Sequence, residues 1–259
     1  MLRLLGTPDC PVLVDICIDP DFAEDPHFIP GAFRHPPTDN PGLIALLDGR
    51  PSVVICQRGI KLSQGLAAQL RVAGLRSEYL IGGNYGWRAL AGAPRVPASA
   101  LPARVDGTTL CVTLLRPRVD RSACPWLIRR FVDPSARFLY VSPAEVLGVA
   151  DRFGAVPFDI EGAALSHCDG KCTFDAMLDA FSLHTEALDR VAAVVRAADT
   201  NAHADAPQAA GLLALSVGLS RQYRDDNAQL DAGMAIYDAL YRWARDGADE
   251  VHGTPGGPL

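Results

Sequence analysis

The chain has 259 residues, 49% apolar and 21% charged, so it holds enough apolar material for a buried core and is not a disordered tail. Its length suits two ordinary domains, and a formal net charge of −6 argues against binding nucleic acid or a membrane surface by bulk electrostatics. The longest apolar run, Gly211–Leu219, is about half the ~20 residues a membrane-spanning helix needs. Met1–Cys10 lacks a basic segment followed by an apolar one, so no secretory leader is expected. Seven cysteines in no regular framework suggest reduced thiols, and the expected location is cytoplasmic.

Taken in chain order, Pro11–Cys17 and Ser52–Cys56 are short β-branched runs bounded by turn residues, the pattern of buried parallel strands. Ser77–Ile81 is a third such run. Between the last two, Leu62, Leu66, Leu70 and Val72 recur at helical spacing, and Gly74 closes the helix. Strand, helix and strand within about 30 residues make a βαβ unit. Residues 92–107, with Pro94, Pro97 and Pro102 and no hydrophobic period, read as a linker with a boundary near residue 104. A strand at Thr108–Leu115 follows, and then mainly helix. Ser142–Glu145 has the form of a capping box, and further helices are predicted at 173–182, 186–198, 207–223 and 227–245. The segment 207–223 is apolar nearly all round and is expected at the buried centre, whereas the last helix puts Leu230, Met234, Tyr237 and Tyr241 on one stripe. The predicted fold is therefore an α/β domain over 1–104, a parallel sheet flanked by helices, followed by a mainly α-helical (α+β) domain over 108–259.

The most informative motif in the first domain is Cys56-Gln57-Arg58-Gly59-Ile60-Lys61, where a strand ends and a helix begins. Ligands of open α/β sheets bind at such strand ends, and the amides of the following helix start favour negative charge. A cysteine placed there is expected to form its thiolate near neutral pH, with Arg58 and Lys61 adding positive charge. A buried strand-end cysteine is the plain alternative, which the loop's glycine and two basic residues disfavour.

Asp15 at the end of the first strand, His27–Ala32 (HFIPGA), the Cys56 loop, and Gly82-Gly83 followed by Trp87 together resemble the rhodanese (sulfurtransferase) homology domain over residues ~10–92. The resemblance implies that Cys56 carries sulfane sulfur as a persulfide cradled by the amides of Gln57–Lys61. It implies a thiosulfate-like donor, a thiol or cyanide-like acceptor, and no cofactor for that reaction. The related phosphatase and arsenate-reductase branch has a longer loop ending in Arg, whereas here Leu62 follows and no Arg comes before Arg71. The family's first strand usually ends Asp-x-Arg; this chain has Asp15-Ile16-Cys17, so the usual salt bridge is absent or made by another residue such as Arg34. Cys17 reads as a buried strand residue in preference to a thiol that resolves Cys56 into a disulfide.

In the second domain, Arg116–Phe131 holds five arginines in sixteen residues. On a helix starting near Ser122, Arg121 and Cys124 would lie at an anion-favouring N-terminus; an arginine surface pairing with its own domain's acids is the alternative. Ser166–Asp175 is a polar turn with His167, Cys168 and Cys172, which suggests zinc or iron ligated by His167, Cys172 and a distant Asp199, with Asp120 behind it. Helix capping over buried cysteines explains much of the same segment. RPRVDRSACPWLIRRFVDP at 116–134, PFDIEG at 157–162, LSHCDGKCTFD at 165–175, ADT at 198–200, APQAAGLLALSVGLS at 206–220 and DDNAQLDAGMAIYDALYRW at 225–243 resemble the C-terminal domain of ChrB-type chromate-resistance proteins. That resemblance implies a chromate-linked regulatory or resistance role. The family often has His at the position of Asn227 and a basic residue or His near Gly233, so roles resting on those positions are not carried over.

Three functions are therefore in play. The leading expectation is a sulfurtransferase with Cys56 as carrier and the second domain as acceptor, regulator, or metal or oxyanion site. The alternative is a thiol-redox or chromate-responsive sensor, with DNA binding possible only through Arg116–Arg130. A reductase would need a metal or a redox pair such as Cys168 and Cys172.

Overall fold

The computed structural model describes residues 1–168 and 170–250. Asp169, in the His/Cys turn, and residues 251–259, the end of the second predicted domain, lie outside the described residues. The chain divides into two compact units, Met1–Leu101 with Arg130–Pro134, and Pro102–Arg129 with the chain from Ser135 onward.

In chain order the first unit contains β1 (Val12–Asp15), α1 (Asp19–Ala23), β2 (His27–Phe28), β3 (Phe33–Arg34), α2 (Asn40–Leu47), β4 (Ser52–Ile55), α3 (Lys61–Val72), β5 (Ser77–Tyr79), α4 (Gly83–Ala89) and β6 (Val96–Pro97). Strands β3-β1-β4-β5 form a four-stranded parallel sheet, with Val14 opposite Val54 and Val54 opposite Tyr79. Adjacent strand residues point to opposite faces, so the sheet is buried on both. Val14 and Val54 pack with Leu43, Leu47, Leu66 and Leu70 of α2 and α3. Leu13 and Ile55 pack with Phe28, Ile29 and Trp87 on the other side. The predicted stripe of α3 is narrower than expected: Leu66 and Leu70 are buried, but Leu62 and Val72 face solvent, and Ser63 and Ala67 take their places. Val72 is the last residue of the helix, Ala73 caps it, and Gly74 follows at φ +85.

The expected linker is structured. Val96–Pro97 pairs antiparallel with β2, the Trp87 indole donates to the Pro94 carbonyl at 2.9 Å, and Arg95 pairs with Asp25 at 2.5 Å. Its end forms β7 (Arg104–Val105), antiparallel to β8 (Thr108–Leu114).

The second unit continues with α5 (Asp120–Phe131), β9 (Arg137–Val141), α6 (Val146–Phe153), β10 (Val156–Pro157), α7 (Thr173–Phe181), α8 (Glu186–Asp199), α9 (Ala209–Gln222) and α10 (Asp226–Asp246). β9 and β10 flank β8 in parallel, and the rest of this region is largely helical. Ser142 begins a 3-10 turn at Pro143–Glu145 without donating or accepting a cap bond through its side chain, so the predicted capping box is not made. The expected central helix also differs. In α9 only Ala209, Leu212, Ser216 and Ser220 are buried and Leu215 is 54% exposed, whereas α8 buries eight of its fourteen residues. The apolar side chains of α9 are interleaved with Ala, Gly and Ser, which give it one small-residue stripe to pack and leave the other faces outside. The core centres on Trp126, whose ring stacks at 6.3 Å on Phe174 and lies 5.6 Å from Tyr241 of the predicted α10 stripe. Among the described residues no helix is long and apolar enough to cross a membrane.

Candidate functional site

Two clusters of reactive side chains stand out, one in each unit. In the first, β4 ends at Ile55 and α3 starts at Lys61, so Cys56–Ile60 form the connecting loop at the carboxyl edge of the parallel sheet. The amides of Asn84 and Tyr85 donate to the carbonyls of Cys56 and Gln57, both at 3.0 Å. With those carbonyls held outward, the loop's own amides are free to face the sulfur. Gly59 has φ +67, and a Cβ there would lie 2.6 Å from the Gly83 nitrogen; a Cβ on Gly83 would lie 2.5 Å from the Gly59 nitrogen. Both glycines are therefore required for this loop to lie against the turn before α4.

The Cys56 sulfur is buried and 3.2 Å from the Ser63 hydroxyl. Burial raises its pKa, but hydrogen bonds from the Ser63 hydroxyl and from the Ser63, Ile60 and Gly59 amides outweigh burial, so the thiol lies below its ordinary value of 9.0. Arg58 and Lys61 stand exposed at the rim, and the main stabilisation comes from amides and a hydroxyl instead of the expected basic side chains. Gln57 donates to Glu24 at 2.8 Å, and the Tyr85 hydroxyl donates to the same carboxylate at 2.9 Å. Asp15 accepts from the Cys17 amide at 2.8 Å and from Asn84 at 2.9 Å, while Arg34 donates to Asp19 and to the Cys17 carbonyl, both at 2.8 Å. Arg34 thus makes a salt bridge with Asp19 beyond the end of β1. Burial, followed by Asp15, pushes the Cys17 thiol far up, which suits a packed strand residue. No disulfide joins any of the seven cysteines among the described residues.

The second cluster begins at a strained turn. Arg116 and Val119 have φ of +59 and +35, a region β-branched residues such as valine rarely enter. Neighbours from α9 and α10 hold it there. Ser216 accepts from the Val119 amide at 2.9 Å, the Tyr237 hydroxyl donates to the Val119 carbonyl at 2.8 Å, and Gln229 donates to the Pro117 carbonyl. The turn delivers Asp120, 1% exposed, to the start of α5. One Asp120 oxygen accepts from the Thr173 amide at 2.7 Å, where the N-terminus of α7 favours negative charge. The other, Oδ1, is buried with no hydrogen-bond partner among the described residues.

Around Asp120 converge His167, Asp159 and Asp199. The His167 Nε2 lies 3.4 Å from Asp120, 3.2 Å from Asp159 and 3.3 Å from Asp199. Potential ligand atoms of Asp120, His167 and Asp199 all lie within 4.8 Å of one another. Hydrogen bonding to Asp120 and the surrounding carboxylates raises the His167 pKa to about 9, against an opposing contribution from burial. Burial, then repulsion from Asp120 and Asp159, raises Asp199 to about 6, and burial raises Asp159.

Three residues singled out from the sequence have surroundings other than those expected. Cys172 does not join His167 and Asp199 in the ligand group; its side chain caps α7 and Asp120 takes its place. Arg121 is not available for an anion, because its guanidinium pairs with Asp159 at 2.9 Å. Cys124 is fully buried, and burial together with Asp120 and Asp159 pushes its thiol well up, so this helix start is lined by carboxylates and does not welcome an anion. Nor is the arginine stretch a free basic face. Arg116 donates to the Tyr223 carbonyl at 3.0 Å, and Arg129 pairs with Asp231 at 2.8 Å. Asp159 and Ser63 were not singled out from the sequence. Ser63 could have been found as the first-turn hydroxyl of the helix following Cys56. Asp159, after a two-residue strand, carried no comparable signal.

Residues 111–244, which contain the whole second cluster, match the family described as ChrB, C-terminal domain. Protein ChrB of Cupriavidus metallidurans is 35% identical over 124 residues, covering 48% of this chain and 37% of that protein. The chain thus matches little more than a third of that relative's length. No solved structure matches the chain. With a match spanning just over half of its residues, the chain belongs to the ChrB C-terminal domain family.

Proposed function

We propose that this protein is a chromate-responsive thiol sensor of the ChrB kind, with Cys56 as its reactive group. Membership of the ChrB family supports the chromate link. The observation that carries the chemistry is the Cys56 sulfur held by the Ser63 hydroxyl and by the backbone amides of Gly59, Ile60 and Ser63, with its pKa lowered in spite of burial. A thiolate at a polarised strand end is the form that reacts with oxidants and electrophiles. In the resting thiol, Cys56 donates to Ser63, which donates to the Ile60 carbonyl at 3.2 Å; on ionisation the hydroxyl turns to the sulfur. The expected location remains the cytoplasm, where such a thiol stays reduced between exposures.

A second reading, a rhodanese-like sulfurtransferase, is favoured by the same amide cradle. Here the Cys56 thiolate attacks the outer sulfur of thiosulfate, the S–S bond breaks, and sulfite leaves with the bonding pair. The product is a Cys56 persulfide anion, which the loop amides stabilise until a thiol or cyanide-like acceptor removes the sulfur.

Intact-protein mass after exposure to chromate or to thiosulfate, in wild type and Cys56→Ser, separates the readings. For a sensor, chromate blocks Cys56 from alkylation at one site per chain, and thiosulfate leaves the mass unchanged. An adduct of about 32 Da with thiosulfate, discharged by cyanide over many turnovers and absent in Cys56→Ser, establishes the sulfurtransferase. Chromate and thiosulfate both leaving Cys56 unmodified overturns both readings.

A further inference from the structure

We propose that the second unit binds a divalent first-row transition-metal ion through Asp120, His167 and Asp199, with Asp159 as the neighbouring counter-charge. This site is independent of Cys56 and of the sensor reading.

The distances favour an ion over a protonated imidazole. An imidazolium Nε2 carries one N–H and makes one good charge-assisted bond, about 2.7–2.9 Å long. The His167 Nε2 instead stands 3.2–3.4 Å from three carboxylates at once, longer than that bond to each of them. Donor atoms sharing an ion at about 2.0–2.1 Å lie ~3.0–3.4 Å apart when they are neighbours in its coordination sphere. The nitrogen's distances to all three carboxylates have that spacing, and the ligand atoms of Asp120 and Asp199 also lie within 4.8 Å of each other and of His167.

Asp120 supplies an independent observation. Its side chain is 1% exposed and its Oδ1 has no hydrogen-bond partner among the described residues, a costly arrangement for a buried carboxylate. A cation held by both oxygens of Asp120 meets the Oδ2 that faces His167 and also accounts for the unpartnered Oδ1. Charge leads to the same conclusion: three carboxylates against the single Arg121 guanidinium leave two uncompensated negative charges when His167 is neutral, as a metal ligand must be. A divalent ion balances them. His167 and Asp199 are 44% and 24% exposed, which gives the ion a route from solvent.

The donor set selects the class of metal. One imidazole with carboxylates and no thiolate suits Mn2+, Fe2+ or Zn2+ better than Mg2+ or Ca2+, which favour all-oxygen ligands, and better than Cu(I), which favours sulfur.

The test uses the full chain, stripped with a chelator and titrated with Mn2+, an ion for which the free thiols compete poorly. Electron paramagnetic resonance should show the free Mn2+ signal disappearing up to one ion per chain. His167→Gln and Asp199→Asn should each weaken binding by about 10-fold or more, and Cys172→Ser should leave it unchanged. Far-UV circular dichroism checks that the variants keep their helices. X-ray absorption of the Zn2+-loaded wild type, which does not depend on any variant, should show imidazole and oxygen ligation without sulfur. The proposal is overturned by the absence of one-to-one Mn2+ binding, by sulfur ligation, by Mg2+ binding as tightly as Mn2+, or by folded His167 and Asp199 variants that bind like wild type.

Discussion

The two clusters handle negative charge in opposite ways. At Cys56 the backbone supplies the positive pole: amides freed by the turning-out of two carbonyls face one sulfur, and the thiol is lowered although it is buried. At Asp120 the side chains supply negative charge in excess, and the thiols beside it, Cys124 and Cys172, are pushed up by burial and by carboxylates. Cysteine content alone therefore says little about reactivity. What decides it is whether the nearest polar groups are amides at the start of a helix or carboxylates gathered around an imidazole.

The largest expected effect breaks the first half of this contrast. Gly59→Ala forces a side chain into a left-handed backbone and into the Gly83 nitrogen at 2.6 Å, atoms that cannot yield without moving the turn before α4. We expect a loss of about 2–4 kcal/mol in denaturant unfolding. Because the Gly59 amide is one of those holding the sulfur, rapid alkylation of Cys56 near neutral pH should disappear with it. A variant with wild-type stability would show that the loop does not depend on this close approach.

A smaller effect tests the second half. Tyr237→Phe removes the hydroxyl that donates to the Val119 carbonyl, which keeps only its bonds from the Ser122 and Ala123 amides. The expected cost is about 0.5–1.5 kcal/mol, the net worth of one hydrogen bond. Because Val119 sits at φ +35 directly before Asp120, relaxation of the turn should also move the carboxylate and weaken Mn2+ binding. Equal loss of stability with unchanged Mn2+ affinity would show that the turn serves packing alone.

Much of the fold was legible in the sequence, and the reasons are local. β4 and α3 are a β-branched run and a periodic apolar one, whose signals survive without tertiary context. α9 misled because apolar composition was taken for burial, although its Ala, Gly and Ser positions decide which face packs. The predicted linker rested on prolines and a missing hydrophobic period, neither of which reveals that Pro97 sits in a two-residue strand where no amide is needed. Of the sites, Cys56 was legible because strand end, loop and helix start are contiguous. The second cluster was legible as His167 and Asp199, with Asp120 as the second choice of distant ligand. Asp159 and Asp120 come from separate elements, and the exclusion of Cys172 depends on its turning to cap α7. No spacing rule encodes a convergence of four segments.

The finest test concerns one hydroxyl. Ser63→Ala removes the largest favourable contribution to the Cys56 thiolate and leaves the loop amides in place. The thiolate form dominates above the folded-state pKa, which lies below 9.0 in the wild type, so alkylation by iodoacetamide should reach its plateau at lower pH than for an unperturbed thiol. In Ser63→Ala the midpoint of that pH-rate profile should move up towards the ordinary range, while the plateau rate at high pH stays close to wild type. The same sign applies to stability. A thiol depressed on folding stabilises the folded state above the unfolded pKa, and that contribution is lost as pH falls through the folded value. The stability difference between wild type and Ser63→Ala should therefore widen as pH rises towards 9. A midpoint that does not move would assign the thiolate to the amides of Gly59, Ile60 and Ser63 alone, and would sharpen the contrast with the carboxylate cluster to one between backbone and side chains.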